Sequence, residues 1–264
     1  MRHLELHIIQ SVPVACLNRD DLNSPKTAIF GGAQRARVSS QSWKRAIREM
    51  ASKELDTSGQ FKGQRSRLFI EKIASELKKL GETEETATAL SLCAGHYLAK
   101  LDPKQEGRVK TLMFLSPLEY EMFANLIFSL KSEDKQKLIE AISLVDKDKL
   151  ASDEEDAENE EQLDPEPKKK GDKKLTSKQF TKLVSKVLKT PVEKAFKGEK
   201  KEVKSLPKDA ADIALFGRMV ANDHSLTVEA ASMFSHALST HKADNEIDFF
   251  AAVDDLQPKE ESGA

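Results

Sequence analysis

Hydrophobic and polar positions alternate over the first ten residues of the chain. Leu4, Leu6 and Ile8 are separated by polar side chains, which is the period-two pattern of a strand with one buried face. Turn-forming residues follow, and the Gly31-Gly32 pair among them favours a β-turn over a regular element. The sequence therefore predicts a strand near the start and an irregular stretch up to residue 32.

The next segment has the spacing of an amphipathic helix. A helix is predicted from about residue 41 to residue 55, with Ser39 and Ser40 as N-cap candidates. One face is apolar and is expected to pack on a core, while the opposite face forms a basic ridge. The apolar stripe consists of Trp43, Ala46, Ile47 and Met50, and the basic ridge consists of Gln41, Lys44, Arg45 and Arg48.

Helical spacing dominates the middle of the chain. The residues from Ser116 to Glu119 form a capping box with proline at the first helical position, which marks the start of one helix. A buried strand over 213–216 and a last helix over 230–238 are expected near the end. The predicted middle elements are helices at 68–80, 84–100, 117–130, 133–145 and about 180–188, and a short strand within 109–115.

Composition narrows the class of protein. No stretch approaches the roughly 18 uninterrupted apolar residues of a membrane span, and the charged start of the chain is unlike a signal peptide. The two cysteines, Cys16 and Cys93, are too few for a disulfide framework or a thiolate zinc site. We expect a cytoplasmic protein without a membrane partner.

The net charge of −2 hides a strong separation of charges along the chain. Residues 22–48 contain no Asp or Glu, whereas an acidic run over 153–166 is followed by a lysine-rich segment over 168–204. The composition of residues 147–174 predicts a mobile surface loop, because it offers too little apolar surface to bury. A polyanionic partner is compatible with the acid-free window. Its cations are Lys26, Arg35, Arg37, Lys44, Arg45 and Arg48.

Common catalytic motifs are absent from the sequence. It contains no phosphate loop, dinucleotide fingerprint, zinc-protease motif or nucleophile elbow, and no cofactor is expected. Two aspartate pairs, Asp20-Asp21 and Asp254-Asp255, are candidate Mg²⁺ ligands, although aspartates in turns also cap backbone amides. His7 is expected to be half-buried in the first strand. On the predicted last helix, His236 and His241 would point away from each other and would be poor joint ligands.

The basic ridge has two interpretations. A charged stripe opposite an apolar one is commonly a solvated helix face. The acid-free window, however, extends beyond the helix to the Gly31-Gly32 turn, and solvated faces usually mix both signs. Glycine also permits close approach of another backbone, and Arg19, Lys26 and Arg35 flank this turn. Composition alone leaves solvation and phosphate binding both open.

Three ordered blocks of residues carry a family resemblance. The first comprises Leu17-Asn18-Arg19-Asp20-Asp21, Ser24-Pro25-Lys26, Ala28-Ile29-Phe30-Gly31-Gly32, Arg35, Arg37, Ser39-Ser40-Gln41 and Lys44-Arg45. The second is Asp212-Ile213-Ala214-Leu215-Phe216-Gly217-Arg218-Met219, and the third comprises His236, Thr240-His241, Asp248, Phe250 and Ala252-Val253-Asp254-Asp255-Leu256. Together they resemble the backbone subunit of the Cascade complex in type I-E CRISPR systems.

The resemblance implies an α+β fold shaped like a hand. Its palm would be a modified RRM-like (ferredoxin-like) domain, with a large helical insertion as fingers and a partial thumb. The expected segments are residues 1–54 (first part of the palm), 55–205 (fingers), 206–242 (second part of the palm) and 243–264 (thumb). Because the family pattern continues past the last block, the chain is expected to be a fragment that ends within the thumb, the alternative being that another polypeptide supplies the remaining part.

The resemblance also implies a non-catalytic scaffold that binds CRISPR guide RNA. Copies of the protein would assemble along the spacer within a Cascade surveillance complex, next to other Cascade subunits, and would meet target DNA through the guide. Met219 and Phe250 would contact bases near the thumb. The residues implied to line the RNA path are Arg19, Lys26, Ser39, Gln41, Lys44, Arg45 and Arg48, and the charge pattern adds Arg35 and Arg37.

Two other functions are compatible with the sequence. One is a metal-dependent ribonuclease of CRISPR RNA processing that uses the aspartate pairs at 20–21 or 254–255. The other is a structural protein whose lysine-rich segment, residues 168–204, binds an acidic protein partner. Cleavage of RNA would favour the first, and loss of assembly after deletion of the lysine-rich segment would favour the second.

Overall fold

A computed structural model describes residues 3–13, 15–55, 58–105, 107–145, 150, 175–197, 206–220 and 226–244. Helices and short antiparallel sheets alternate along these residues, which confirms the predicted α+β class. The strands are β1 (Thr27–Phe30), β2 (Ala33–Val38), β3 (Gln64–Ser66), β4 (Met113–Leu115) and β5 (Ala237–Leu238). The helices are α1 (Ser40–Met50), α2 (Phe69–Lys79), α3 (Glu84–Leu98), α4 (Pro117–Phe128), α5 (Ser132–Leu144), α6 (Ser177–Lys197) and α7 (Ala211–Phe216).

The chain divides into two compact units. The first, here called the sheet unit, comprises Met1–Ile47 with Phe234–Ala264, and the second, the helical unit, comprises Arg48–Met233. The sheet unit contains β1, β2 and β5, while β3, β4 and most helices belong to the helical unit. The four segments expected from the family resemblance remain a prediction.

A β-hairpin organises the sheet unit. Gly31 and Gly32 both have positive φ angles, 63° and 73°, as a two-residue hairpin turn requires, so the predicted turn is confirmed. Strand β2 pairs antiparallel with β1 on one side and with β5 on the other. The local pattern predicted the turn but no strands, because β1 is short and β2 alternates charged residues with small ones rather than with large apolar residues.

The strand predicted at residues 4–9 is wrong for the described structure. Residues 3–13 belong to no regular element, and Leu4, Leu6 and Ile8 are 76–85% exposed. His7 is exposed as well, not half-buried. A strand needs a neighbouring backbone to bond with, and no other described segment offers one here.

Helix α1 begins and ends where the sequence predicted. The hydroxyl of Ser39 accepts a hydrogen bond from the backbone N–H of Ser42 (3.3 Å), and a π-helical turn over Ala51–Leu55 extends the helix. The expected burial of its apolar stripe is wrong, however. No residue of α1 is fully buried, and Ile47 and Met50 are exposed.

The helical unit contains the hydrophobic core of the described residues. Helices α2 to α6 surround it, and the capping box that begins α4 is formed by Ser116 and Glu119 as predicted. The predicted helices of the middle segment are all present, and their ends differ by a few residues, except that the helix predicted at about 180–188 continues to Lys197. The largest fully buried side chains include Phe69, Phe123, Phe180, Ile73, Leu77 and Leu115.

Two predictions near the end of the chain are wrong. Residues 213–216 lie in helix α7 rather than in a strand, because a backbone N–H bond from Ala211 to Gln60 and the buried Asp212 fix the start of a helical turn. Residues 230–238 form no helix and end instead in strand β5. Both segments are too short for their periodicity to separate helix from strand.

The predicted mobile loop at 147–174 lies outside the described residues, apart from Leu150. The end of the chain from residue 245, which includes Phe250, Asp254 and Asp255, also lies outside them. Of the helices that the structure describes, none has the length and apolar character needed to cross a bilayer.

Candidate nucleic-acid interface

The register of the sheet places three predicted cations on one face. Ala28 lies opposite Arg35, and the backbone N–H of Arg37 bonds to the carbonyl of Lys26 (2.9 Å), which makes Lys26 and Arg37 opposite neighbours. Directly opposed residues of an antiparallel pair share a face, as do residues two apart on one strand. Lys26, Arg35 and Arg37 therefore form one cluster, called here the cation face.

The charges of the cation face are not neutralised by described carboxylates. The ion pairs found within the described part of the sheet unit join His7 to Glu5 and Lys242 to Asp244. Lys26 and Arg37 carry like charges at directly opposite positions, an arrangement that disfavours the sheet unless an anion lies between them. The Nε atom of Arg37 is buried and has no hydrogen-bond acceptor among the described atoms. The cation face thus has unused capacity for an anionic ligand.

Arg35 ties together three parts of the sheet unit. Its Nε donates to the carbonyl of Phe30 (3.0 Å), and its Nη1 donates to the carbonyls of Ser239 (2.9 Å) and Thr240 (2.7 Å). Carbonyl oxygens satisfy the guanidinium donors but leave its positive charge in place. Arg35 therefore holds the hairpin against the residues after β5 and still contributes charge to the cation face.

The loop before β1 is a tight turn capped by an aspartate. Asp20 Oδ1 accepts backbone N–H bonds from Leu22 (2.9 Å) and Ser24 (2.8 Å), and Arg19 Nη1 donates to the carbonyl of Asn23 (2.7 Å). The amide-capping interpretation of Asp20 is confirmed. In the described ranges no group of three or more His, Cys, Asp or Glu side chains is placed to hold a metal ion.

Two residues missed by the sequence analysis position the start of α1. Asn18 Oδ1 accepts the backbone N–H of Ser39 (3.0 Å), and His236 Nδ1 accepts that of Ser40 (2.9 Å). His236 is not on a helix, so the expected geometry of His236 and His241 is wrong. No local pattern signals these contacts, because His236 lies 196 residues from Ser40 along the chain. Ser39, predicted to touch RNA, is buried and caps α1.

The predicted basic ridge of α1 divides between the two units. Gln41 and Arg45 are exposed, and Lys44 Nζ lies 5.6 Å from the ring centroid of Phe234 in the sheet unit. Arg48 belongs to the helical unit, where its guanidinium lies 5.0 Å from the ring centroid of Phe114. The ridge therefore lies along one side of the helix, but Arg48 packs in a different unit from the other three residues.

Arg48 also acts on a buried carboxylate of the helical unit. Burial raises the pKa of Asp212, and this effect outweighs the hydrogen bonds from the N–H groups of Gly63 (3.2 Å) and Ile213 (3.0 Å) and the positive charge of Arg48. Gly63 has no room for a side chain, since a Cβ atom there would lie 2.6 Å from the Phe114 ring. Asp212 is consequently a structural residue that joins α7 to the segment before β3.

Met219 is the predicted base-contacting residue that the structure describes. Its side chain is 80% exposed, immediately after Arg218, which is buried and bonded to both carboxylate oxygens of Glu119 at 2.7 and 2.8 Å. Arg218 Nε also donates to the carbonyl of Leu226 (2.9 Å), across the short bridge between Arg218 and Val228. A buried ion pair thus anchors the residue that precedes an exposed apolar side chain.

The model of the CT1975-like protein family, Cas_CT1975, matches residues 4–264. The chain belongs to this family. None of the curated proteins compared with this CT1975-like chain matches it.

Two solved structures resemble this family member. A chain of a CRISPR RNA-guided surveillance complex has a TM-score of 0.51 and 25% identity, with 88% of this chain and 56% of that chain covered. A chain of a CRISPR RNA-guided surveillance complex described as pre-nicking has a TM-score of 0.51 and 27% identity, with 93% and 55% covered. The CT1975-like chain therefore spans little more than half the length of these solved proteins.

Proposed function

We propose that this CT1975-like protein is a non-catalytic scaffold subunit of a type I-E Cascade surveillance complex. It binds CRISPR guide RNA through phosphates, assembles with copies of itself along the spacer, and contacts other Cascade subunits. Target DNA meets the protein through the guide. The observation that carries this proposal is the cation face, whose positive charges have no described carboxylate partner.

Phosphate binding fits the chemistry of a guide carrier. Contacts to phosphates hold a strand without reading its bases, which a protein that accepts many spacers requires. Arg37 offers a buried Nε–H without an acceptor, and Lys26 stands opposite it on β1. An RNA phosphate between them would accept that N–H and relieve the repulsion of two like charges.

Met219 supplies a complementary contact in this proposal. An exposed methionine is a flexible apolar side chain that can lie against any base, because every base has a flat apolar face. The buried Arg218–Glu119 pair fixes the backbone beneath it. The neighbours found in CRISPR RNA-guided surveillance complexes and the family membership support the same assignment.

A salt titration tests phosphate binding directly. Fluorescence anisotropy would measure the affinity of the chain for two unrelated single-stranded RNAs of equal length at 50 to 200 mM salt. If about four phosphates are contacted, the slope of log affinity against log salt is about −2.8, and affinity falls about 50-fold over this range. Affinity that depends on one RNA sequence, or that is insensitive to salt, contradicts the proposal.

Substitutions on the cation face localise the contact. The double variant Lys26→Ala/Arg37→Ala is expected to reduce the salt slope by about 1.4, since two phosphate contacts are lost. The matched control is Lys131→Ala/Lys137→Ala, which removes two cations of the helical unit outside the cation face. Equal losses in both variants would show that binding follows overall charge rather than this face.

The non-catalytic part of the proposal has its own test. Labelled RNA incubated with the protein and Mg²⁺ is expected to stay intact for hours, as judged on a denaturing gel. Cleavage that disappears on addition of EDTA would instead establish a metal-dependent ribonuclease. The Asp20→Ala variant then serves as a control, because Asp20 caps a turn in the structure rather than facing a metal cluster.

A further inference from the structure

Helix α6 carries a row of exposed lysines opposite the side that packs in the core. Its buried side includes Phe180, Val184 and Leu188, each at most 1% exposed. At the angular spacing of an α-helix, four of its lysines fall within one sector of the opposite side and extend over about 16 Å of the helix. This lysine row consists of Lys178, Lys182, Lys186 and Lys189.

The lysine row has no carboxylate partner among the described residues. None of the ion pairs found there includes one of its four members. The one acidic residue of α6, Glu193, follows a turn after the row. Like charges on adjacent turns repel one another, so an anionic segment laid along the row would relieve this repulsion.

The chemistry of the lysine row suits an acidic polypeptide better than a nucleic acid. Helix α6 contains no Arg, and its two aromatic side chains, Phe180 and Phe196, are buried. The row therefore offers neither the forked N–H donors that hold a phosphate nor a ring on which a base can stack. Lysine ammonium groups act as point charges and pair with carboxylates without a fixed geometry.

The two ends of the segment before α6 are held together. The backbone N–H of Leu175 donates to the carbonyl of Leu144 (3.1 Å), and Val145 and Leu175 form a parallel bridge. Residues 146–174 therefore begin and end at one point of the helical unit, just before α6. This point limits how far the acidic run within them, residues 153–166, can lie from the lysine row.

The acidic run can reach the whole lysine row. It contains nine Asp and Glu residues and no Lys or Arg. From Val145 to Asp153 the chain spans at most about 29 Å, and from Ser177 to Lys189 the helix spans about 18 Å. A tether of this length holds the run near the row at an effective concentration on the order of 1 mM. Several weak surface ion pairs are then enough to keep the two in contact.

We propose that the lysine row of α6 is a docking surface for the acidic run of the same chain. The carboxylates of the run pair with the four ammonium groups, and a polyanion from outside reaches the row only by displacing the run. Three observations point to this occupant: the row lacks described counter-ions, the run is purely acidic, and the bridge at Val145 and Leu175 keeps the two close. The inference does not depend on RNA binding, because the lysine row and the cation face belong to different units.

Acetylation of lysines measures whether the row is covered. The chain, treated with nuclease to remove nucleic acid, would be labelled at about 50 mM and at about 500 mM salt and analysed by mass spectrometry. At the lower salt the row lysines are expected to react about threefold more slowly, as they would if the run occupied the row about two-thirds of the time. Lys72 and Lys104, which are exposed outside α6, should react equally at both salt concentrations.

Two matched variants separate the acidic run from the overall charge of the protein. One neutralises four acids of the run and is expected to lower the protection of the row from about threefold to about 1.5-fold. The other neutralises four exposed acids elsewhere in the helical unit and is expected to leave the protection unchanged. Both should retain the thermal transition of the helical unit, because none of these acids belongs to its core. The run variant is Glu154→Gln/Glu155→Gln/Glu160→Gln/Glu161→Gln, and the control is Glu71→Gln/Glu85→Gln/Glu121→Gln/Glu133→Gln.

Carbodiimide coupling identifies the occupant directly, because it joins carboxylates to lysine amines that are in contact. The expected products link peptides from residues 153–166 to lysines of the row. In an equal mixture of unlabelled and isotope-labelled chains, each linked pair should carry a single isotope, as a contact within one chain requires.

Four results would overturn the proposal. Equal labelling of the row at both salt concentrations would show that no anionic segment covers it. Full protection in the run variant would assign the cover to other groups. Protection that appears only after single-stranded RNA is added would make RNA the occupant, and linked pairs of mixed isotope would make it the acidic run of a second copy.

Discussion

The helical unit and the sheet unit are stabilised in different ways. In the helical unit, aromatic and aliphatic side chains from α2 to α6 pack into one core, and a buried ion pair joins Arg218 to Glu119. In the described sheet unit, hydrogen bonds join residues about 200 positions apart while cations and apolar side chains remain on the surface. The first unit buries most of its large apolar side chains, whereas the described part of the second leaves them exposed.

The sharpest test of this difference uses one substitution in each unit. Phe123→Ala removes a ring that is 1% exposed and lies 5.7 Å from the Phe69 ring, so we expect a loss of about 3–5 kcal/mol in the free energy of unfolding. Phe30→Ala removes a ring that is 62% exposed, and the expected change is within about 0.5 kcal/mol.

Urea titration checks this pair of variants. Circular dichroism at 222 nm would follow the helical unit, and Trp43 emission would follow the sheet unit. Similar losses for Phe123→Ala and Phe30→Ala would show that both units depend on packed apolar side chains, and the proposed distinction would then fail.

The buried ion pair of the helical unit gives the next largest effect. Glu119→Gln removes the charge that faces Arg218, both side chains being at most 2% exposed, and leaves a buried guanidinium without its counter-ion. We expect the free energy of unfolding to fall by about 3 kcal/mol. The control is Glu121→Gln on the exposed side of α4, with an expected change below about 0.5 kcal/mol. Equal losses of unfolding free energy in Glu119→Gln and Glu121→Gln would mean that the buried guanidinium of Arg218 does not depend on the charge of Glu119.

Gly63 tests the junction between α7 and β3 in the same unit. A Cβ atom there would lie 2.5 Å from Asp212 Oδ2 and 2.6 Å from the Phe114 ring, so Gly63→Ala is expected to cost about 1–3 kcal/mol. Gly81→Ala is less suitable as a control because of its positive φ, and Ser129→Ala after α4 serves better. A free energy of unfolding equal to that of Ser129→Ala would show that the residues around position 63 move enough to make room for the added methyl group.

His96 makes the stability of the helical unit depend on pH. Its Nε2–H donates to Thr181 Oγ1 (2.8 Å), which itself donates to the carbonyl of Ser177, and its buried Nδ1 has no partner among the described atoms. Burial lowers the pKa of His96 below its ordinary value of 6.5. The unfolded chain therefore binds a proton at a higher pH than the folded one.

The free energy of unfolding should accordingly decrease as pH falls below about 6.5, by at most about 1.4 kcal/mol per pH unit, until the folded-state pKa is reached. Urea titrations at pH 5 to 7.5 would measure this change, and His96→Gln should flatten it. An unchanged pH profile in His96→Gln would assign the dependence to other groups.

The smallest expected effect belongs to the cation face. Arg37→Ala removes a charge opposite Lys26 and a buried Nε–H without an acceptor, so the sheet unit should keep its stability or gain a few tenths of a kcal/mol. Urea titration followed by Trp43 emission checks this outcome. A loss above about 1 kcal/mol would mean that Arg37 is part of the fold rather than a group held for a ligand.

The sequence by itself determined the elements whose signals are local. Helices α2 to α6, the capping box of Ser116 and Glu119, the Gly31-Gly32 turn and the turn capped by Asp20 follow from spacing and from contacts within a few residues. The acid-free window also identified Lys26, Arg35 and Arg37 as a group, because charge composition can be read without coordinates.

Only the tertiary structure decided the features that depend on distant residues. Antiparallel pairing places Lys26 opposite Arg37. His236 accepts a hydrogen bond from the start of α1 although it lies 196 residues from Ser40. Arg218 forms an ion pair with Glu119 in the interior. The same dependence explains the errors at residues 4–9, 213–216 and 230–238. A short segment becomes strand or helix, buried or exposed, according to the backbone that lies beside it, and its own side-chain pattern does not contain that information.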